Sequence, residues 1–179
     1  MELTEEKNGT IKKQLESGGD REKLDAMRKL VPKFPTTSPQ HFASVVKLVS
    51  SPNIEIRKLV YIYLLQYSAN QPDLALLAVN GLKREMAGEN TGGMAAGAGG
   101  YGVVAMRGWA VKVLCGMALG IAGVRGRTVV GGAESASVSG EGGGGGLTPL
   151  VRLAIAKCVK DRNVYIRKVG ALALVKCYE

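Results

Sequence analysis

Between Asn53 and Tyr67 the large side chains fall at Ile56, Leu59, Val60, Tyr63 and Leu64. A step of three or four puts them along one face of a helix. Apolar residues continue around the cylinder at Tyr61, Ile62 and Leu65. A helix apolar over most of its girth needs neighbours on several sides, as the inner layer of a stacked helical array has. The same signature returns from Asn163 to Cys177. Asn53, Ile56, Arg57, Lys58 and Leu64 recur as Asn163, Ile166, Arg167, Lys168 and Leu174, all 110 positions later. A weaker third copy, Met106 to Cys115, aligns Arg107 with Arg57 and Leu114 with Leu64. The chain reads as a helical repeat.

Residues 3–17 predict a polar, marginal helix interrupted by Gly9. Asp20 can cap a second helix through about Pro32, with Leu24, Met27, Leu30 and Val31 on its inner face. Residues 33–38 form a turn, and Ser38-Pro39 opens a helix over His41 to Val49. Ser51-Pro52-Asn53 leads into the helix already described. Gln71-Pro72-Asp73 opens another, with Leu74, Leu77, Ala78, Leu82 and Met86 as its apolar positions. The glycine-dominated segment 88–102 predicts a flexible loop. A helix from about Val103 to Ile121 follows, carrying Trp109 and Val113, and 123–146 predicts a second flexible insert with Arg125 and Arg127 exposed. Thr148-Pro149 restarts helix, and 149–160 with 163–178 form a final antiparallel pair. The fold class is therefore all-α: an α-solenoid of HEAT or armadillo type, built of antiparallel helix pairs and interrupted by two Gly-rich loops. The expected organisation is one array over 1–179. In such arrays an Asn or Asp followed by Arg or Lys can bond between layers. Asn53 with Arg57 and Asn163 with Arg167 satisfy that spacing, and a capping asparagine beside a surface arginine is the plainer alternative.

Composition changes this picture only locally. The chain of 179 residues holds 25 glycines, too many for an ordinary helical protein, but most lie between Gly88 and Gly146. The net charge of +9 fits either a docking surface or simple solvation, since lysines and arginines are scattered as singles and pairs. Cys115, Cys158 and Cys177 sit in apolar helical patterns with no CxxC, and His41 is the only histidine. That excludes the usual zinc spacings and points to buried, reduced thiols in a cytosolic protein. The acidic, polar N-terminus is unlike a signal peptide, and the apolar run Val113 to Val124 is too short to span a bilayer. A soluble protein is expected.

One motif misleads. Residues 97–104 fit the GxGxxGxV phosphate loop of kinases, and Ala110-Val111-Lys112 imitates the AVK strand that follows it. Ten residues between Gly102 and Lys112 leave too little room for two strands and their turn. No HRD or DFG supplies a base and a magnesium ligand. The dinucleotide version fails too, with no preceding strand and no acidic residue about twenty positions on. His41 lacks a carboxylate or serine partner in the sequence and reads as a helix-surface residue. Tyr61, Tyr63 and Tyr67 read as core rather than base-stacking residues. No enzymatic activity, cofactor or metal is expected.

The string SPNIEIRKLVYIYLLQYSANQPDLALLAVNGLKREM closely resembles the N-terminal trunk of β-adaptins, the large subunits of clathrin-associated adaptor complexes. KLDAMRKLV upstream and LVRLAIAKCVKDRNVYIRKVGALALVKCYE downstream extend the resemblance to residues 11–86, 104–122 and 148–179. LDAM, NIEI and LVRLAIAKC look most like the β subunit of adaptor protein complex three. The departures lie in the two inserts, where family members have a short turn after Met86 and lack the glycine run before Leu147.

The resemblance implies a scaffold subunit of a heterotetrameric vesicle-coat adaptor complex, in intracellular protein transport. Its partners would be the other large, medium and small subunits, with peripheral attachment to Golgi or endosomal membranes and coated vesicles from the cytoplasm. An Arf-type small GTPase would touch Leu59, Ile62, Leu76 and Val79, although those side chains could equally fill the space between helices. Arg28 and Lys29 would meet acidic lipid headgroups, or be an ordinary solvated pair. No nucleic acid is expected on this reading. The alternative, which the positive charge favours, is a HEAT-repeat carrier or nucleic-acid-associated scaffold. Because Val164 to Tyr178 lacks a polar cap beyond it, further helix pairs are expected in full-length relatives.

Overall fold

Helical periodicity runs through nearly every segment that the computed structural model describes, residues 2–31, 39–89, 101–128 and 148–178. The described residues form eight α-helices and no strand. Helix α1 (Glu2–Glu16) passes through Gly9 without the predicted interruption. One helical glycine costs only ~1 kcal/mol relative to alanine, and buried Ile11 and Leu15 anchor the helix beyond it. In α2 (Asp20–Leu30) it is Gly19 that takes the N-cap, and Asp20 sits in the first turn near the positive end of the helix. The predicted turn at 33–38 lies outside the described residues.

The single helix predicted over His41 to Val49 is broken into a 3₁₀ turn at Pro39–His41, a short α3 (Phe42–Val46) and a second 3₁₀ turn at Lys47–Ser50. The sharper turns bring Val49 and Ser50 against Gly81 of α5, where even a β-carbon would lie 2.6 Å from Val49 Cγ1. Helix α4 (Ile54–Tyr67) and α5 (Pro72–Ala87) start where expected, α5 with Pro72 in its first turn. Gly88, with φ at 80°, ends α5 in the left-handed conformation glycine adopts without penalty. There its N–H and that of Glu89 donate to the Glu85 and Arg84 carbonyls at 2.9 and 3.0 Å.

Helix α6 (Tyr101–Thr128) is longer than the predicted Val103 to Ile121 and takes in 101–102 and 123–128 of the two segments expected as loops. No proline interrupts this stretch, so glycine alone does not stop it. Of the rest, 88–89 close α5, and 90–100 and 129–146 lie outside the described residues. Helices α7 (Thr148–Val159) and α8 (Val164–Tyr178) form the expected closing hairpin.

The helices stack in two layers. Packing contacts join α1 to α3, α3 to α5, and separately α2 to α4, α4 to α6 and α6 to α8. Each helix of one layer also packs on a partner in the other, α1 on α2, α3 on α4, α5 on α6 and α7 on α8. Helices α5 and α7, both seated on α6, pack little on each other. One core runs through the stack, and Tyr61, Tyr63 and Tyr67 are buried in it as expected. Tyr63 stacks between Phe42 and Tyr67, with ring centroids 6.0 and 4.8 Å away. By length and composition, Gly102–Ile121 of α6 could cross a bilayer. Here Met106, Ala110, Val113, Leu114 and Met117 are buried instead among the neighbouring helices, as a central core helix requires.

Of the apolar positions predicted for α5, Ala78 and Leu82 are buried, and Leu74 and Met86 pack against the core. Leu77 points outward, and Ala75, Ala78, Val79, Leu82 and Glu85 face the core. His41 is buried, contrary to the surface position expected of it, at the start of α3, against which α1 packs, with Lys12 of α1 near it. Cys115 and Cys158 are buried thiols, and burial pushes the Cys158 thiol above its usual range, with Asp161 adding to the rise.

Candidate interaction surfaces

The two main repeat copies share a cap, residue for residue. Asn53 Oδ1 accepts from the Glu55 N–H at 3.0 Å, and the Asn53 N–H donates to Ser51 Oγ at 3.3 Å. In the second copy, Asn163 Oδ1 accepts from the Tyr165 N–H at 2.9 Å, and the Asn163 N–H donates to Asp161 Oδ1 at 2.8 Å. Both asparagines thus satisfy the open end of their own helix.

The arginines diverge. Arg57 is buried and pairs with Glu85 of α5. Arg167 is exposed and donates to the Asp161 and Arg162 carbonyls, each at 2.9 Å. Arg107, from the weaker copy, pairs with Asp161 at the α7–α8 turn and donates to the Met86 carbonyl at 2.8 Å. Among the described residues, Arg57 and Arg107 each find a carboxylate on a later element. Burial alone would raise the Asp161 pKa, but the Asn163 N–H, then Arg107 and Arg167, outweigh it and hold the carboxyl below its usual range. Tyr61 lies beside the Arg57–Glu85 pair. Burial first, and the Glu85 charge second, raise its phenol well above the ordinary value, with Arg57 opposing.

Glu85 and Asp161 are ion-pair partners that the sequence reading missed. Glu85 gave one signal, its spacing from Ala78 and Leu82 on the inward face. Asp161 gave another, since it stands where Ser51 stands in the first copy.

Leu59 and Ile62 lie three apart on α4, and Leu76 and Val79 three apart on α5, so the two pairs belong to different layers. Ile62 and Leu76 are 48% and 44% exposed, Leu59 is half-buried, and Val79 is 4% exposed. Only the first two offer free apolar surface. Arg28 and Lys29 are exposed on α2. Arg28 meets Glu55 of α4 at 3.3 Å, and Lys29 donates to Gln14 at 3.4 Å. Half-buried Trp109 lies under the Lys58 ammonium, 5.5 Å from its ring centroid. Val103, Val104 and Ala110-Val111-Lys112 all lie on α6, so the kinase-like residues have no strand to stand on. Among the described residues, no group of three or more His, Cys, Asp or Glu side chains converges as metal ligands would.

Residues 4–95 match the family described as "Adaptin N terminal region". The chain is 32% identical over 174 residues to AP-3 complex subunit beta-1 of Bos taurus, and to the Homo sapiens protein of that name to the same extent. Each match covers 96% of this chain and 12% of the relative. AP-3 complex subunit beta of Schizosaccharomyces pombe is 31% identical over 166 residues, 92% of this chain and 17% of that protein.

Proposed function

The chain belongs to the adaptin N-terminal family, as a β-subunit segment, and from that premise we propose that it is a non-catalytic scaffold in a vesicle-coat adaptor complex. The observation that carries this is the 32% identity over 174 residues, 96% of the chain. The two-layer stack supports it. Such an array gives neighbours an extended, stiff surface, and here outward-facing apolar side chains remain on α4, α5 and α8. HEAT-type pairing over 1–179 is the matching architecture.

On this reading the partners are the other large, the medium and the small subunits, and the chain works on the cytoplasmic side of Golgi or endosomal membranes. Ile62 in one layer and Leu76 in the other are the exposed apolar candidates for contact with an Arf-type GTPase, and Lys29 with Arg28 faces acidic headgroups. Co-expression with candidate small and medium subunits, followed by affinity purification, tests the scaffold. The expected result is stoichiometric co-purification. A folded chain that captures no subunit, yet binds RNA with steep salt dependence, would replace the scaffold with the HEAT-type carrier.

A further inference from the structure

Helices α5 and α7 stand on α6 with an open slot of about 290 Å³ between them. Its walls are largely apolar, from Met86 on α5 and Leu150, Leu153 and Ala154 on α7. Leu153 is 53% exposed, so a large apolar side chain faces the opening rather than the core. The rims are basic: Lys83 on one wall and Lys157 on the other. The remaining charges, Arg107 and Asp161, neutralise one another at its end. Among the described residues, neither Lys83 nor Lys157 has an acidic partner. The unbalanced charge of the slot is therefore positive, beside apolar walls.

We propose that this slot is a docking site for an acidic amphipathic helix of a partner protein. From Leu150 to Lys157 the slot follows α7 for about two turns, roughly 10 Å. That length takes apolar anchors three or four residues apart, in the manner of a helix laid into a groove. Glutamates or aspartates flanking those anchors meet Lys83 and Lys157. The complementarity of charge fixes orientation and excludes basic segments. A membrane is a poorer occupant, because Met86 and Ala154 line the inside of a cleft between two helices, where a flat bilayer does not reach. The slot stands apart from the scaffold reading and holds whether or not the chain assembles with coat subunits.

Fluorescence anisotropy with the whole 179-residue chain tests it. The probe is a labelled helical peptide with leucines three and four apart and glutamates between them; the control carries lysines in place of the glutamates. The glutamate peptide should bind saturably and the lysine peptide should not. The double variant Lys83→Glu/Lys157→Glu, and separately Leu153→Asp, should each weaken binding by ~10-fold or more, with unchanged helical circular dichroism. All the altered residues are exposed, so loss of binding with the fold intact is readable. No binding of the glutamate peptide, equal binding of the two peptides, or binding indifferent to the charge reversal would overturn the proposal. So would binding of the chain to phosphatidylserine vesicles that vanishes in the double variant while the peptide stays unbound.

Discussion

Arg57 on α4 and Glu85 on α5 hold one another inside the stack, their side chains 3% and 4% exposed. Two charges removed from water are tolerated there because each neutralises the other. Removing one partner strands the other. Arg57→Met should therefore cost ~3–5 kcal/mol of stability, and Arg57→Met/Glu85→Leu should recover most of it. Urea denaturation of the two variants decides the matter. A double variant as unstable as the single one would show that packing around Arg57, rather than stranded charge, sets the cost.

His41 gives the fold a pH dependence of defined sign. Burial first, and the nearby positive charge of Lys12 second, lower its pKa from 6.5. Glu16, also on α1, accepts from Ser44 Oγ at 3.1 Å beside the same turn. A base whose folded pKa is depressed binds protons more readily when unfolded, so its contribution is fully present above pH 6.5. It is lost as the pH falls from there through the lowered folded value. Thermal unfolding midpoints should drop between about pH 7 and pH 5, ahead of general carboxylate protonation. His41→Phe should flatten that slope. An identical slope in the variant would place the titration elsewhere.

Gly170 lets α8 pack close against α7. A β-carbon there would stand 2.9 Å from Cys158 Cβ and 3.3 Å from the Val159 backbone nitrogen. Backbone cannot swing aside as a side-chain tip can. Gly170→Ala should therefore destabilise the hairpin by ~1–3 kcal/mol, despite the better helix propensity of alanine. Hydrogen exchange confined to α7 and α8 would report it. A variant as protected as the parent would show that the two helices can separate without cost.

The sequence made some of these features legible and hid others for physical reasons. Helices α4 and α8 were plain because apolar spacing and a capping asparagine agree in both copies. The tyrosine trio lies within the first of these patterns and is buried with it. Glu85 was hidden because a carboxylate ordinarily reads as surface, and its partner stands 28 positions away. His41 was hidden because it starts α3, which packs against α1, a helix too polar to announce that it packs. The length of α6 was hidden because glycines signal breaks, whereas packing against four other helices favours continuity. The slot between α5 and α7 has no local signal at all, since its two walls are more than sixty residues apart.

Exposure separates the four residues proposed to contact a small GTPase. Ile62→Asp/Leu76→Asp should abolish capture of a GTP-loaded Arf-type protein while shifting stability by no more than ~0.5 kcal/mol, because both side chains already face water. Val79→Asp should instead unfold the chain, since it forces a carboxylate into the core. Pull-down beside circular dichroism checks both. Undiminished capture by the surface pair would assign the GTPase to some other face.

Helix α8 presents Val164, Leu172 and Val175 to solvent, at 68%, 56% and 58% exposure. Leu172 and Val175 also line an apolar groove of about 540 Å³ with Leu65, Val169 and Ala173. A patch of this kind is wetted at a cost and should be covered when a surface of matching shape is offered. The 179-residue chain should accordingly bind a hydrophobic dye and self-associate as its concentration rises. Leu172→Glu/Val175→Glu should suppress both while leaving the unfolding midpoint nearly unchanged, because neither side chain belongs to the buried core. Sedimentation velocity at rising concentration gives the readout. A parent chain that stays monomeric and dye-free throughout would mean that the groove is already closed in solution.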